Sequence, residues 1–242
     1  SDDERMAMGH LDAGVMQESV AMVLRPAGQF STTAEDMARF LEFLLSDGSY
    51  EGERLIKTEL MAQLGMPSTT SAYSAGLNIG HGLALASRDR HGVLGYCHPG
   101  TTFGFRAYLC IFPAEQKAFF YAVNTDSESA NYERLNETFI ESLRIKKQAS
   151  ELSSVPQIDL TEYQGIYVLS PNNMAQFSWL DWMFNSIRLV QSDDALLLQS
   201  LQQADRRLTP VGENLFSAED RKLISHVFFL GESGQELSDG LN

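Results

Sequence analysis

The 242-residue chain has no long apolar run and few basic residues, and each shortage excludes a class of protein. It contains no run of about 18 apolar residues, so the sequence predicts no transmembrane segment. Lys and Arg number only 18 and are scattered, and the net charge is -14, which argues against nucleic acid and against an anionic membrane surface as partners. The histidines and acidic residues lack metal-ligand spacing, and no Gly-rich phosphate loop occurs. We therefore expect no metal and no other cofactor.

Only two cysteines are present, Cys97 and Cys110. We predict a β-hairpin that turns near Thr101, in which Cys97 faces position 106 or 107. Cys110 would then lie several residues further along its strand, where the geometry of a disulfide cannot be met. Both cysteines are therefore predicted to be free and partly buried, and two unpaired thiols do not identify a compartment.

What the chain does have is an ordinary globular composition, 43% hydrophobic and 10% aromatic. Thr32 and Glu35 have the spacing of a capping box, which predicts the start of a helix that Gly48 ends. A second short helix is predicted over 58–64. Four runs rich in β-forming residues follow, at 81–86, 93–98, 103–112 and 117–124. Their short connections require antiparallel pairing.

A helix predicted over 128–144 would cover one face of this sheet. The polar stretch 148–156, which ends in Pro156, predicts a linker. After it, short apolar runs separated by Gly, Asp and Asn predict a small all-β sandwich or barrel over 157–242. The predicted fold class is therefore α+β, with an antiparallel sheet covered by helices in residues 1–147 and the small β-domain behind it.

The strongest candidate for a functional site is the segment GYCHPGTTFGFRAY, residues 95–108. His98 stands at the end of one β-rich run, and glycines follow it before the next run. This arrangement can hold an imidazole and a backbone N–H beside a substrate carbonyl. Tyr96 and Arg106 could line the same groove, Arg106 as a bidentate partner of a substrate carboxylate. The alternatives are a strand-end histidine without a role, strand packing for Tyr96 and a solvent-facing position for Arg106.

Three stretches resemble the serine β-lactamase and penicillin-binding protein family, in its class C-like, esterase branch. RPAGQFSTTAED at 25–36 resembles that family's Pro-Ala-Gly-Gly-x-x-Ser-Thr-x-x-Asp helix start. YSAGLNIGHGLAL at 73–85 resembles its Tyr-Gly-Leu-Gly strand, and the His98 segment resembles its third motif, Lys-Thr-Gly or His-x-Gly. Further on, LTEYQGIY at 160–167 resembles the start of a lipocalin-like module that follows the catalytic domain in this family.

The resemblance implies acyl transfer through a serine, on a β-lactam, a D-amino-acid peptide or an ester, in a periplasmic or extracytoplasmic location. It puts His98 at the first position of the third motif, Pro99 at the middle one and Gly100 at the glycine. It also implies that Thr101 offers its backbone N–H to the developing oxyanion.

The sequence departs from the family pattern at the nucleophile. No Ser-x-x-Lys pair and no Tyr-x-Asn element occurs in the 242 residues, so no residue is assigned as catalytic. Ser170-Pro171-Asn172 fits Ser-x-Asn by its letters but lies beyond the predicted catalytic domain. We therefore expect the C-terminal portion of such a hydrolase, inactive alone. The alternatives are a non-catalytic binding or interaction module of the cell envelope and a structural part of a larger assembly. If the chain is such a truncated portion, the strand at 117–124 would have an open edge that can pair with a further strand.

Overall fold

The computed structural model describes residues 6–17, 28, 30–89, 91–146, 158–169, 183–201, 203–219, 221, 223–231 and 234–239. The chain divides into two compact units, one made of residues 1–65 and 95–146 and the other of residues 66–94 and 147–242, as far as these are described. The domain bounds expected from the sequence stay a prediction, because residues 147–157 lie outside the described part. No helix in that part is both long and apolar enough to cross a membrane.

The described residues form four α-helices: α1 Ala34–Leu45, α2 Thr58–Gln63, α3 Ser71–Ser74 and α4 Tyr132–Ser142. Short 3-10 turns cover Asp12–Gly14, Pro113–Glu115 and Leu160–Tyr163.

The N-cap of α1 is Thr33 and not the predicted Thr32. The Thr33 hydroxyl accepts a hydrogen bond from the N–H of Asp36 at 3.1 Å and donates one to the Asp36 carboxylate at 2.9 Å. Thr33 and Asp36 have the same spacing as Thr32 and Glu35, so two overlapping caps were available and the second one forms.

Ten short strands precede residue 130: β1 Gly9–Leu11, β2 Met16–Gln17, β3 Ser49–Tyr50, β4 Glu53–Arg54, β5 Gly80–His81, β6 Ala86–Arg88, β7 Gly95–Thr102, β8 Phe105–Phe112, β9 Lys117–Val123 and β10 Thr125–Asp126. Seven follow: β11 Gly165–Leu169, β12 Ile187–Ser192, β13 Ala195–Ser200, β14 Arg206–Gly212, β15 Leu215–Ala218, β16 His226–Gly231 and β17 Gly234–Asp239.

In the first unit, β7, β8 and β9 form an antiparallel meander, as predicted. The turn between β7 and β8 is formed by Phe103 and Gly104, since Thr102 lies opposite Phe105. Gly104 has a φ of +75°, which suits the third position of a type II turn. The hairpin thus turns later than predicted, and Pro99 lies inside β7.

This register overturns the prediction that both cysteines are free. Cys97 lies directly opposite Cys110, their Cα atoms are 4.1 Å apart, and the two sulfurs are bonded. The prediction failed because a turn placed near Thr101 shifts every cross-strand pair and separates the two cysteines. Both half-cystines are buried.

Side chains alternate between the two faces of the meander. Cys97, Cys110, Phe119 and Tyr121 lie on one face, which we call the helix face because α4 covers it. The ring of Phe139 in α4 stacks on Phe119 and on Tyr121, with centroid distances of 5.2 and 5.5 Å. The predicted helix on one face of the sheet is confirmed, although it begins at Tyr132.

The N-terminal strands lie against the turn end of the meander. β1 pairs with β2 in antiparallel fashion and with β10 in parallel fashion. The N–H of His10 donates to the carbonyl of Asn124 at 3.0 Å and to that of Gly104 at 3.3 Å. The β7–β8 turn is therefore held by backbone contacts from a distant part of the sequence.

In the second unit, β5 and β6 form a hairpin in place of the single strand predicted over 81–86. The chain turns between them, where the N–H of Gly82 donates to the carbonyl of Leu85 at 2.9 Å.

Strands β11 to β17 form a closed barrel, in which the parallel pairing of β11 with β17 completes the ring. Tyr167, Phe216 and Phe228 are fully buried in its core, and Phe228 meets the other two rings edge-on at 4.9 and 5.3 Å. The sequence did not predict β14, which contains Pro210, or the mostly polar β17. The predicted α+β class with a small all-β domain is confirmed.

Candidate functional site

His98 lies within β7 opposite Leu109, and the residue is exposed. Tyr96 and Gly100 share its face of the sheet, which we call the His98 face. Tyr96 packs on Gly65 so closely that a Cβ added at Gly65 would lie 2.3 Å from its ring. A Cβ added at Gly100 would meet only Ala107, at 3.8 and 3.9 Å. Gly100 therefore leaves open space beside His98 on this face.

Arg106, the other groove candidate, lies on the helix face. Its Nε donates to Oδ1 of Asp126 at 2.7 Å, and its guanidinium carbon lies 4.4 Å from the ring centroid of Tyr132. The hydrogen bond to Asp126 raises the pKa of Arg106 above its usual value. The structure thus brings Tyr96 and Gly100 together with His98, and it holds the side chain of Arg106 on the opposite face.

The pairing also sets the direction of the backbone groups of β7. In an antiparallel ladder, hydrogen-bonded pairs with Cα atoms about 5.5 Å apart alternate with non-hydrogen-bonded pairs about 4.5 Å apart. The Cα distance of 4.1 Å between Cys97 and Cys110 marks a non-hydrogen-bonded pair. The pair next to the two-residue turn, Thr102 and Phe105, is then hydrogen-bonded, as such a turn requires.

By this alternation, Pro99 and Thr101 occupy non-hydrogen-bonded positions opposite β8. Their backbone groups therefore point away from β8. Proline is tolerated at position 99 because no bond to β8 needs an N–H there. Thr101 directs its N–H and carbonyl to the same side, two residues further along the strand. The side of β7 away from β8 thus carries one donor, from Thr101, and two acceptors from this pair of residues.

The partners of Arg106 on the helix face were not predicted from the sequence. Asp126 is 20 residues away in sequence, and Tyr132 begins α4. No local pattern links these positions, because they meet only through β8, β10 and the helix. Ser170-Pro171-Asn172 and most of the 25–29 segment lie outside the described residues. Within the described part, no group of three or more His, Cys, Asp or Glu residues could hold a metal ion.

A helix-covered antiparallel meander with an exposed histidine on one strand, together with a β-barrel, defines an α+β protein. The chain belongs to the Beta-lactamase family, whose model matches residues 1–140.

Two solved structures resemble this chain at low similarity. A crystal structure of SurE is 17% identical, with a TM-score of 0.44, over 94% of this chain and 52% of its own. A crystal structure of SurE with D-Leu is 18% identical, with a TM-score of 0.38, over 66% of this chain and 37% of its own. The chain therefore spans about half or less of the length of these structures. A search of curated proteins found no match.

Proposed function

We propose that this chain provides the substrate-binding strand of a serine hydrolase that transfers acyl groups from a β-lactam, a D-amino-acid peptide or an ester. The observation that carries the proposal is the placement of His98, Gly100 and Thr101. An exposed imidazole and an outward backbone N–H lie within four residues of one strand, in a member of the Beta-lactamase family.

Each of the three residues has a distinct part in this proposal. Attack of a serine on the substrate carbonyl forms a tetrahedral intermediate with a negative oxygen. Thr101 would donate its N–H to that oxygen, and one such donor contributes about 3 kcal/mol to the transition state. His98 would donate a hydrogen bond to the substrate from the His98 face. Gly100 lets the substrate approach the backbone, because it presents no side chain.

Pro99 limits what this strand can offer a substrate. Of the two residues beyond Cys97 whose backbone faces away from β8, only Thr101 has an N–H, while Pro99 can only accept through its carbonyl. A substrate lying along residues 98–102 would therefore be held there by one backbone donor. The imidazole of His98, one residue from Pro99, is placed to supply the second donor.

We further propose that the 242 residues are inactive alone. They contain no Ser-x-x-Lys pair and no Tyr-x-Asn element, so the activated nucleophile would have to come from residues outside this sequence. The binding-module alternative gains no support from the described barrel, whose core is filled by aromatic and aliphatic side chains.

Two preparations test the proposal: the 242-residue chain and the gene product that contains it. Each is incubated with a fluorescent penicillin and with a p-nitrophenyl ester. We expect no covalent label and no turnover with the chain, and labelling or turnover with the gene product. Turnover by the chain, or an unreactive gene product, would overturn the proposal.

Variants of the gene product separate the role of the Thr101 N–H from that of the His98 imidazole. Thr101→Pro removes the N–H and should lower acylation about 100-fold. Thr101→Ala keeps the N–H and should retain most of the rate. His98→Ala should weaken substrate binding, whereas the same change at the exposed His81 should have no effect.

The disulfide supports an extracytoplasmic location, which we propose for this chain. Disulfides persist in oxidising compartments and are rare in the cytosol. Trapping thiols in intact cells and labelling with a polyethylene-glycol maleimide should show no mobility shift at Cys97 and Cys110 unless a reductant is added first.

We also propose that the edge of β9 pairs with another strand. Among the described strands, β9 pairs only with β8. By the alternation derived above, Ala118, Phe120 and Ala122 direct their backbone groups away from β8. An edge with regularly spaced donors and acceptors is a template for a further strand, supplied by the gene product or by another chain.

A further inference from the structure

The strand segment that carries the proposed site, residues 98–102, has no buried side chain. His98, Pro99 and Thr101 are exposed, and Gly100 and Thr102 are half-buried. The register of a strand is normally fixed by burying one of its two faces, and it is weakly specified where neither face is buried. Pro and Gly are also unfavourable in strands. Side-chain packing within this segment therefore does little to fix its alignment with β8.

The Cys97–Cys110 bridge lies directly before this segment and is part of the core. Cys97 and Cys110 are 3% and 1% exposed. A Cβ added at Gly95 would lie 3.0 Å from the sulfur of Cys110 and 2.5 Å from the ring of Phe112. Phe112 in turn stacks on Phe119 at 6.4 Å. The bridge thus joins the well-packed end of the β7–β8 pair, where β7 changes from buried to exposed.

The alignment of the two strands decides the geometry of the proposed site. With Cys97 bonded to Cys110, His98 must lie opposite Leu109 and Thr101 opposite Arg106. A slip of one residue would move the side chain of His98 to the helix face. It would also turn the Thr101 N–H toward β8, where it could not reach a substrate.

From this geometry we propose that Cys97 and Cys110 are positioning residues of the site, because their bond fixes the register that places His98 and Thr101. The inference rests on the proposed function, because a positioning role requires a site. The claim that the bond fixes the register is tested without measuring any activity.

The test compares the 242-residue chain with the double variant Cys97→Ala/Cys110→Val, which removes the bond and keeps apolar side chains. Amide hydrogen exchange is measured by NMR at Gly100 and Thr102, whose N–H groups face β8. We expect exchange there to accelerate at least tenfold more than at Phe119, in the strand on the far side of β8. The cross-strand Hα–Hα contact between Thr101 and Arg106 should weaken.

Phe112→Leu is the matched control, because it lowers packing on the same face of β8 and leaves the bridge intact. Phe112→Leu should change amide exchange in β7 and in β9 equally, and it should preserve the contact between Thr101 and Arg106. Uniform acceleration in the double variant, with that contact intact, would overturn the inference.

A second readout uses the gene product and distinguishes the two proposals. Loss of the bridge should lower the acylation rate at saturating penicillin more than Phe112→Leu does. An unchanged rate with a lost register would contradict the positioning role. If the gene product with an intact bridge is not acylated at all, the proposed function fails. The exchange result then decides alone whether the bridge fixes the register.

Discussion

Arg106 illustrates how a single side chain is fixed by three kinds of interaction. It has an ion pair with Asp126 at 2.7 Å, a position over the ring of Tyr132, and partial burial, with 34% of its side chain exposed. A guanidinium combines these contacts because it is planar and its Nε is a directional donor, whereas an ammonium is a compact point charge. Arg106 therefore joins β8 to β10 and to the start of α4.

We predict that Arg106→Lys lowers the free energy of unfolding by about 1–2 kcal/mol, since the charge remains but the hydrogen bond and the stacking are lost. Urea denaturation at neutral pH measures the change. Arg39→Lys is the control, because Arg39 also pairs with carboxylates but is 56% exposed, and it should change stability by less than about 0.5 kcal/mol. Equal losses of stability at Arg106 and Arg39 would show that the contacts of Arg106 with Asp126 and Tyr132 add nothing to stability.

Tyr121 is a second residue whose surroundings matter, because they raise the pKa of its phenol. Its hydroxyl donates to Oδ1 of the buried Asn136 at 3.0 Å. Burial, which is the largest cause, acts together with Tyr108 and Glu133 to raise the pKa of Tyr121 to about 12. The usual value of about 10 applies to the unfolded chain. Folding therefore favours the protonated phenol.

This stabilisation is complete below pH 10 and is lost as the pH rises from 10 toward 12. We predict that Tyr121→Phe makes the free energy of unfolding fall less steeply over that interval. Stability measured at several alkaline pH values, with tyrosinate absorbance followed in parallel, tests this. Tyr50→Phe, at a residue that is 45% exposed, should leave the slope unchanged. The idea fails if the two variants have the same slope.

At the scale of elements, the β7–β8 hairpin depends on the turn glycine. Gly104 has a positive φ, and a Cβ there would lie 2.8 to 2.9 Å from backbone atoms of Gly9 and His10. Backbone cannot move aside as a flexible side chain can. The turn is thus specified by its own conformation and by the close approach of β1.

Gly104→Ala should therefore be more harmful than the same change at Gly52. Gly52 also has a positive φ, of +85°, but no atom lies within 4 Å of an added Cβ. We predict a cost of about 1 kcal/mol at Gly52, from backbone strain alone, and about 3 kcal/mol or more at Gly104, from strain and collision together. Thermal unfolding of both variants measures the difference. Equal losses would mean that β1 does not contact the turn as described.

The same hairpin shows what the sequence could and could not predict. The strands, their antiparallel pairing and the covering helix were predicted, because β-forming runs, short connections and helical spacing are local signals. The register was not, since Gly100 and Gly104 both permit a turn, and the contact of Gly104 with β1 comes from residues far away in the sequence. The disulfide and the partner of Arg106 depend on that register and were missed with it. His98 was predicted at the end of a strand, whereas it lies inside β7, because the hairpin turns later than predicted.

At the scale of the whole molecule, the second unit contains a segment far from the barrel in sequence. Leu77 and Ile79 belong to the same buried cluster as Val227 of β16, and Leu215 packs against that cluster. Arg221 forms an ion pair at 3.2 Å with Asp89, whose side chain is only 2% exposed. Such long-range packing leaves no periodic signal, so nothing in the sequence indicates that 66–94 and the barrel form one unit.

This arrangement predicts that a change in segment 66–94 weakens the barrel. Leu77 is fully buried, so Leu77→Ala should lower the stability of the second unit by about 2–5 kcal/mol, through lost apolar contact and the cavity left behind. Amide exchange in β15 and β16 should accelerate accordingly, while exchange in β8 and β9 stays the same. Leu83→Ala, in the same segment but 74% exposed, is the control and should change neither. If Leu77→Ala leaves β15 and β16 protected, the segment is not part of the barrel's cooperative unit, and packing within 66–94 itself accounts for its burial.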